Sequence, residues 1–411
     1  MVSTEKAVAK ATKTVIITGN QAAALAAKLC RVQVIAAYPI TPQTPVTEAL
    51  SEYVEKGELD AQYVTVESEH SALSVCAAAS TVGARVFTAT SGNGLAYMHE
   101  ILHWAAGSRL PLVLGCVNRA VGAPWNVLND QQDSISQRDT GWVQLYARNN
   151  QEVLDSIIQA YKIAESMYVP VMVCYDGYLL SPTVAPVQVP SQEDVDRFLP
   201  PYQPQIVLDP ARPVNLNQVT LGDPRVNASG QLCHGYMEIR YLLQEALDGC
   251  REKALDVDRE FGGIFGRSCG GVLWGHRLQD AAVVLMAMGS LASEATVAAD
   301  DLRDQGYKAG VLGLRVYRPF PAGELREALQ RARLVIVFDK NISYGYEGAT
   351  CSDLKAALYS SEAKPAIHNY IAGIGGRDVK ARELAEAARK SMLFIEGGRQ
   401  EKGTEWLNCQ I

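Results

Sequence analysis

Three prolines within seven residues, Pro39, Pro42 and Pro45, are the tightest local constraint on this chain. None can continue a helix, and each drives the residue before it toward extended geometry. The run ahead of them, QVIAAYPI, reads as a buried strand, and the run behind, VTEALSEYVEKG, reads as a helix. A stiff loop carrying Thr41 and Thr44 therefore follows a strand, which is where an open α/β sheet binds ligands. Further on, the strand-like run AQYVTVE delivers Glu67, Glu69 and His70 to the start of another helix. Two loops presenting hydroxyls and a carboxylate describe a site rather than a core.

The alternation around them sets the fold class. Strand-like runs ARVFTAT, PLVLGCVN and VPVMVCYD are separated by the helical patterns SALSVCAAASTVGA, GLAYMHEILHWAAG and EVLDSIIQAYKIAESM. Strands spaced by helices pair in parallel and carry helices on both faces. A proline-rich stretch over 182–225 reads as an ordered connector, followed by a helix or helix pair over 234–260 and a glycine-rich joint, FGGIFGRSCGG. From Asp280 the rhythm resumes with AAVVLMAMGS, KAGVLGLRVY, RLVIVFDKN and AIHNYIAG, each leading to a helix. The expected architecture is two-domain α/β. A first parallel-sheet domain spans 1–190, a connector with helices spans 191–279, and a second α/β domain spans 280–411.

Composition narrows the class. With 411 residues, 48% hydrophobic and 20% charged, the chain describes a soluble globular protein. A net charge of −7 argues against a broad nucleic-acid surface. No apolar run reaches membrane-spanning length, and the first residues, MVSTEKAVAKATK, lack the apolar core of a signal peptide. Nine scattered cysteines without a C-x-x-C spacing read as free thiols in a reducing cytoplasm, not as the ligands of a ferredoxin-type cluster.

Several motifs carry competing readings. His99-Glu100-Ile101-Leu102-His103 matches the helical H-E-x-x-H of zinc hydrolases, in which two histidines one turn apart hold the metal and the glutamate activates water. The same residues also describe an amphipathic helix with two histidines, and Ala106 and Arg109 stand where a longer zinc motif needs glycine and histidine. Ser91-Gly92-Asn93-Gly94 opens that helix and suits either a close-packed turn or a loop that cradles an anion. Arg119, at the end of PLVLGCVN, is either a paired surface cation or a clamp for a carboxylate on the same sheet edge as the first two loops. Glu69 is either a carboxylate favoured by the helix dipole or a functional group whose proton affinity an apolar, alanine-rich helix can raise. The long polar segment 122–142 contains two tryptophans and reads as an ordered loop at a site or interface.

The blocks YPITPQTP, VESEHSA, FTATSGNGLAYMHE, RLPLVLGCVNRAVGAPW, DSISQRDTGWVQLY, EFGGIFGR, RVYRPFP and DKNISYG together resemble the α subunit of pyruvate:ferredoxin and related 2-oxoacid:acceptor oxidoreductases. The resemblance covers nearly the whole chain. It implies a thiamine-diphosphate pyrimidine-binding domain followed by a transketolase C-terminal-like domain. It implies that a β subunit supplies the diphosphate and Mg²⁺ site, and that γ-type and ferredoxin-type subunits carry the remaining domain and the iron–sulfur clusters. Where NAD⁺ is the acceptor, a flavin-bearing subunit joins them. The reaction implied is oxidative decarboxylation of a 2-oxo acid with coenzyme A. By motif, Glu69 resembles the glutamate that hydrogen-bonds the cofactor's aminopyrimidine and favours its imino form. Thr41 resembles the threonine beside the substrate, and Arg119 the arginine that binds the substrate carboxylate. Ser91, Gly92 and Asn93 are carried over as cofactor contacts, and no metal ligand is assigned to this chain.

Three departures stand out from that pattern. Asp130-Gln131-Gln132-Asp133 replaces a common D-H-Q-D, Tyr97 replaces an aliphatic residue, and Ser343 to Gly348 reads SYGYEG in place of S-F-G-H-G-G. If Tyr97 and Gln131 line the pocket, they leave room for a bulkier 2-oxo acid, such as the aryl acid phenylglyoxylate, beside the leading expectation of pyruvate. Two readings of other classes stand next to these: a zinc hydrolase through His99, Glu100 and His103, and a scaffold that only holds partner subunits.

Overall fold

A computed structural model describes residues 13–204, 225–226, 232–233, 235–398 and 403–411. Two mainly parallel sheets organise the chain. The first has seven strands in the order 316–318, 143–146, 171–176, 113–118, 86–90, 34–37 and 62–65. All run parallel except Val316–Arg318, which pairs antiparallel with Val143–Tyr146. Val113–Asn118 and Val171–Asp176 are buried at every residue, as a sheet covered on both faces requires. Chain order reverses between Val34–Ala37 and Val86–Thr90, so the loops after these two strands diverge and open a crevice at the carboxyl edge.

Local sequence sets the helix ends. Ser68 accepts a hydrogen bond from the Ser71 amide at 3.1 Å and starts the helix Glu69–Thr81. Asn149 does the same for Asn150–Met167 through the Glu152 amide at 2.9 Å. The alternating pattern correctly gives five of the seven strands, over 34–37, 62–65, 86–90, 113–118 and 171–176, and these helices, but three elements escape it. Val143–Tyr146 is a full strand, Gly19–Leu29 is a buried alanine-rich helix, and Lys13–Thr18 pairs antiparallel with Val184–Val189. GLAYMHEILHWAAG is two helices, Gly92–Tyr97 and His99–Gly107, joined at Met98. The stretch expected as a connector contains the strand Val184–Val189 and the helix Gln192–Phe198, and its part over 205–224 lies outside the described residues. The N-terminal residues read for a targeting signal also lie outside them. A single helix, Tyr236–Phe265, runs into the glycine-rich joint and stops at Gly266 in the left-handed region, φ 72°.

The second sheet orders its strands 273–276, 309–314, 283–288, 334–339, 366–371 and 405–406. KAGVLGLRVY is not one strand. Ala309–Leu314 belongs to the second sheet, and Val316–Arg318 closes the first. Between them Arg315 is fully buried, donating to the Gly271 carbonyl at 2.6 Å and to Gln159 Oε1 at 3.0 Å. One continuous stretch of chain thus serves both sheets. Among the described residues no helix is long and apolar enough to cross a membrane. Eight described cysteines are free, seven of them buried.

Candidate active site

Loops from four strands meet at the carboxyl edge of the first sheet, and Asp133 ties together the two that follow Val86–Thr90 and Val113–Asn118. Its Oδ2 accepts from the amides of Gly92 and Arg119, each at 2.9 Å. Its Oδ1 accepts from Asn118 Nδ2 and the Ser134 amide, each at 2.8 Å. Burial pushes this carboxyl above the usual range, and the four donors oppose that rise. In the sequence Asp133 is visible only as the last residue of the D-Q-Q-D block, where nothing assigns it a role. Of the two readings of the SGNG turn, the close-packed one holds at Gly92. The Gly92 amide is committed to Asp133, so it is not free to cradle an outside anion.

Glu69 stands at the first turn of its helix and is 8% exposed. No residue of the described chain donates a hydrogen bond to its carboxylate. It packs against Gly94, where a Cβ would come within 2.7 Å of Glu69 Oε1 and 2.5 Å of Thr90 Oγ1, so only glycine permits this approach. The Thr90 hydroxyl beside it is buried without a partner, as is the hydroxyl of the next residue, Ser91. A desolvated carboxylate and two orphaned hydroxyls form a polar socket that this chain does not satisfy by itself.

Arg119 is 4% exposed and donates through Nη1 to the Thr41 carbonyl at 2.7 Å. Its Nε is buried without a partner and lies where a Cβ on Gly92 would reach it at 2.8 Å. Burial lowers its proton affinity, while Asp133 and Glu69 work the other way. The Thr41 loop is held from behind as well: Asn20 Nδ2 donates to the Pro42 carbonyl at 2.8 Å, and Tyr175 Oη donates to Asn20 Oδ1 at 2.9 Å. Thr41 itself is exposed and faces an open cleft of about 780 Å³ that Thr44, Tyr178 and Ser181 also line. Glu69, Arg119, Ser91 and Gly92 therefore lie at one sheet edge, and Thr41 joins them through its backbone carbonyl on Arg119. Asn93 is exposed and faces outward to the 122–142 loop, accepting from the Gly122 amide at 3.1 Å.

Two departures fall away from the socket. Gln131 is buried at the junction between the sheets, donating its amide to the Lys340 carbonyl at 2.9 Å. Tyr97 is 58% exposed and meets His70 at a tilt of 36°, with ring centroids 5.8 Å apart. The inference of a wider pocket from Gln131 is therefore corrected, because that side chain packs on Gly289 at the junction. The H-E-x-x-H helix is likewise not assembled for metal. His99 Nδ1 pairs with Gln137 Oε1 at 2.5 Å, and Glu100 reaches His70 at 3.5 Å. Among the described residues no three ligating side chains come together.

A parallel-sheet domain with a desolvated glutamate at its carboxyl edge, joined to a second α/β domain, is the plan of one half of a thiamine-diphosphate enzyme. The family profile described as "Pyruvate flavodoxin/ferredoxin oxidoreductase, thiamine diP-bdg" matches residues 25–247, and "Pyruvate:ferredoxin oxidoreductase core domain II" matches 281–384. Ketoisovalerate oxidoreductase subunit VorA of Pyrococcus horikoshii is 45% identical over 395 residues, 96% of this chain and 98% of the relative. Pyruvate synthase subunit PorA of Methanothermobacter thermautotrophicus is 46% identical over 378 residues, 92% of this chain and 94% of the relative. The fold matches 2-oxoglutarate:ferredoxin oxidoreductase from Magnetococcus marinus with a TM-score of 0.69 at 19% identity, covering 92% of this chain and 65% of that one. The chain belongs to the α-subunit family of 2-oxoacid:ferredoxin oxidoreductases, and it contains that family's thiamine-diphosphate-binding domain.

Proposed function

We propose that this chain provides the aminopyrimidine side of a thiamine-diphosphate site shared with a partner subunit, and that its complex oxidises a short aliphatic 2-oxo acid. In the reaction, a 2-oxo acid and coenzyme A give acyl-CoA, CO₂ and a proton, and two electrons leave through iron–sulfur clusters of partner subunits to ferredoxin. A β-type subunit supplies the diphosphate and Mg²⁺ side. The observation that carries this reading is the Glu69 socket, a desolvated carboxylate beside two unpartnered hydroxyls. When bound, thiamine diphosphate supplies the carbon nucleophile and electron sink for decarboxylation. Glu69 offers its carboxylate to a ring nitrogen of the cofactor and holds a proton there. Arg119 spends Nη1 on the Thr41 carbonyl and turns its remaining nitrogens to the substrate carboxylate. Thr41 presents its hydroxyl beside the same carboxylate.

Pyruvate remains the first choice of substrate, with a branched 2-oxo acid next to it. The relatives named above are a ketoisovalerate and a pyruvate enzyme, so they lend no support to an aryl acid. The buried thiols suit a reducing cytoplasm. A substrate panel on the co-purified complex decides the matter: pyruvate, 2-oxobutyrate, 2-oxoisovalerate and phenylglyoxylate, each with coenzyme A and a viologen dye as acceptor. We expect an aliphatic acid to lead, and the isolated chain to be inactive. Dye reduction independent of any 2-oxo acid, or activity of this chain alone, would overturn the reading.

Arg119→Lys should raise KM for the 2-oxo acid by about tenfold, corresponding to about 1.4 kcal/mol, while lowering kcat far less. Lysine keeps the charge but loses the planar fork that fixes a carboxylate and the bond to Thr41. Steady-state kinetics on the complex checks this. An unchanged KM with lost turnover would place Arg119 in a later step.

A further inference from the structure

The loop that carries Asp133 is held at its Asp133 end by the first sheet, and over 126–132 it is fastened mainly by the second sheet's domain. Asn126 Nδ2 donates to the Gly375 carbonyl at 3.1 Å, and the Gly376 amide donates to the Asn129 carbonyl at 2.6 Å. The Gly375 amide reaches Asp130 Oδ2 at 3.3 Å, and the Ile342 amide donates to Gln132 Oε1 at 3.0 Å. Lys340 stands at the centre. Its carbonyl accepts from the Gln131 amide, and its Nζ donates to Asn129 Oδ1 at 3.0 Å and to Asp176 Oδ2 at 3.2 Å. Both charges are buried, with side chains 5% and 1% exposed. Asp176 ends its strand in register with Asn118, the neighbour of Arg119 and a donor to Asp133.

We infer that Lys340 is a positioning residue: by bridging Asp176 to Asn129 it fixes the 126–133 loop, and through Asp133 it sets where Arg119 stands for the substrate. The inference rests on the reading of Arg119 given above. Stability alone is a poor account of such a pair. Taking two charges out of water costs several kcal/mol per ion, and replacing a buried pair by neutral groups is often neutral for the fold. The remaining Asp176 contacts do not need the lysine, since the Ser290 amide donates to the same oxygen at 3.0 Å. Although burial pushes Asp176 up, Lys340 and Ser290 hold it below the usual carboxylate range, so the aspartate is charged and the lysine is pinned at a defined point. A pinned ammonium with a second bond to a loop asparagine transmits position from one sheet to the other.

The test uses the assembled complex carrying Lys340→Met, and the neutral pair Lys340→Met with Asp176→Asn, which removes the uncompensated charge. Hydrogen exchange of the peptide over 119–133 is followed by mass spectrometry, beside KM and kcat for the 2-oxo acid. In the neutral pair we expect a melting temperature near that of the parent, exchange of 119–133 faster by about tenfold, and KM raised by about ten- to a hundredfold with a smaller change in kcat. Exchange in 150–167 should not move. Unchanged exchange over 119–133 overturns the inference whatever the activity shows. Faster exchange with an unchanged KM also overturns it, because the loop would then be free to move without consequence for the substrate. Arg119→Lys in the same assay separates the two failures. If it raises KM, the substrate reading stands and only the role of Lys340 is lost. If it does not, the Arg119 reading itself has failed.

Discussion

Glu69→Gln is expected to lower turnover of the assembled complex by about 10² or more, the scale of losing a positioned acid–base group. Glutamine has the same shape, so it fits against Gly94 and Thr90 where any larger change would not. It also keeps the Ser68 cap and the helix that starts there. What it loses is the negative charge and the capacity to hold a proton. The effect on folding should be small, about 0.3–1 kcal/mol from the lost interaction with the helix dipole. Assembly measured by gel filtration should therefore match the parent, while 2-oxo-acid-dependent viologen reduction falls. Turnover within twofold of the parent would instead favour the scaffold reading, in which this chain only holds its partners.

Asp133→Asn should damage both the fold and the reaction. The parent carboxylate accepts four N–H hydrogen bonds, two on each oxygen, and the weaker Cys116 thiol donor at 3.8 Å on Oδ2. An amide in its place turns one pair of acceptor sites into an NH₂ that faces two N–H donors. Leaving two buried donors unmet costs about 1–3 kcal/mol each, enough to lower the melting temperature by roughly 5–15 °C. The larger consequence is positional. Gly92 and Arg119 are held by one oxygen, so both the socket wall behind Glu69 and the arginine lose their common anchor. Thermal melts of the chain together with kinetics of the complex test the claim. A parent-like melting temperature with parent-like KM would remove Asp133 from its place at the centre of the site.

Much of this was legible in the residues. Proline spacing in YPITPQTP and the helix start in VESEHSA located two walls of the site, because each is a local steric or capping matter. VLGCVN and VMVCYD announced themselves as central strands by being apolar throughout. The role of Asp133 was not legible, since it depends on three loops meeting and nothing in D-Q-Q-D signals that. Gln131 misled for the same reason: closeness in sequence to a site residue did not place its side chain in the pocket. Val143–Tyr146 follows a long polar segment and is only four residues long, so its pattern is too brief to stand out. The break at Arg315 is hard to see because that single charge is flanked by strand-like residues from Ala309 to Tyr317, and periodicity does not record which sheet a strand joins.

That break has a consequence for how the chain came to be one piece. The strand Val316–Arg318 is the outermost of the first sheet, lying on Val143–Tyr146. A fragment ending before the second sheet would leave Val143–Tyr146 as a bare edge, open to pairing with any other chain. It would also strip the buried cluster of Gln159 and Ser156 of its arginine. The two sheets look separable when the sequence is divided by rhythm, yet the first is completed only by a strand drawn from within the second sheet's stretch of chain. A gene fission at the boundary between them would yield two sticky halves, whereas a fusion or a new partner at the chain's outer surfaces would not disturb this shared seam.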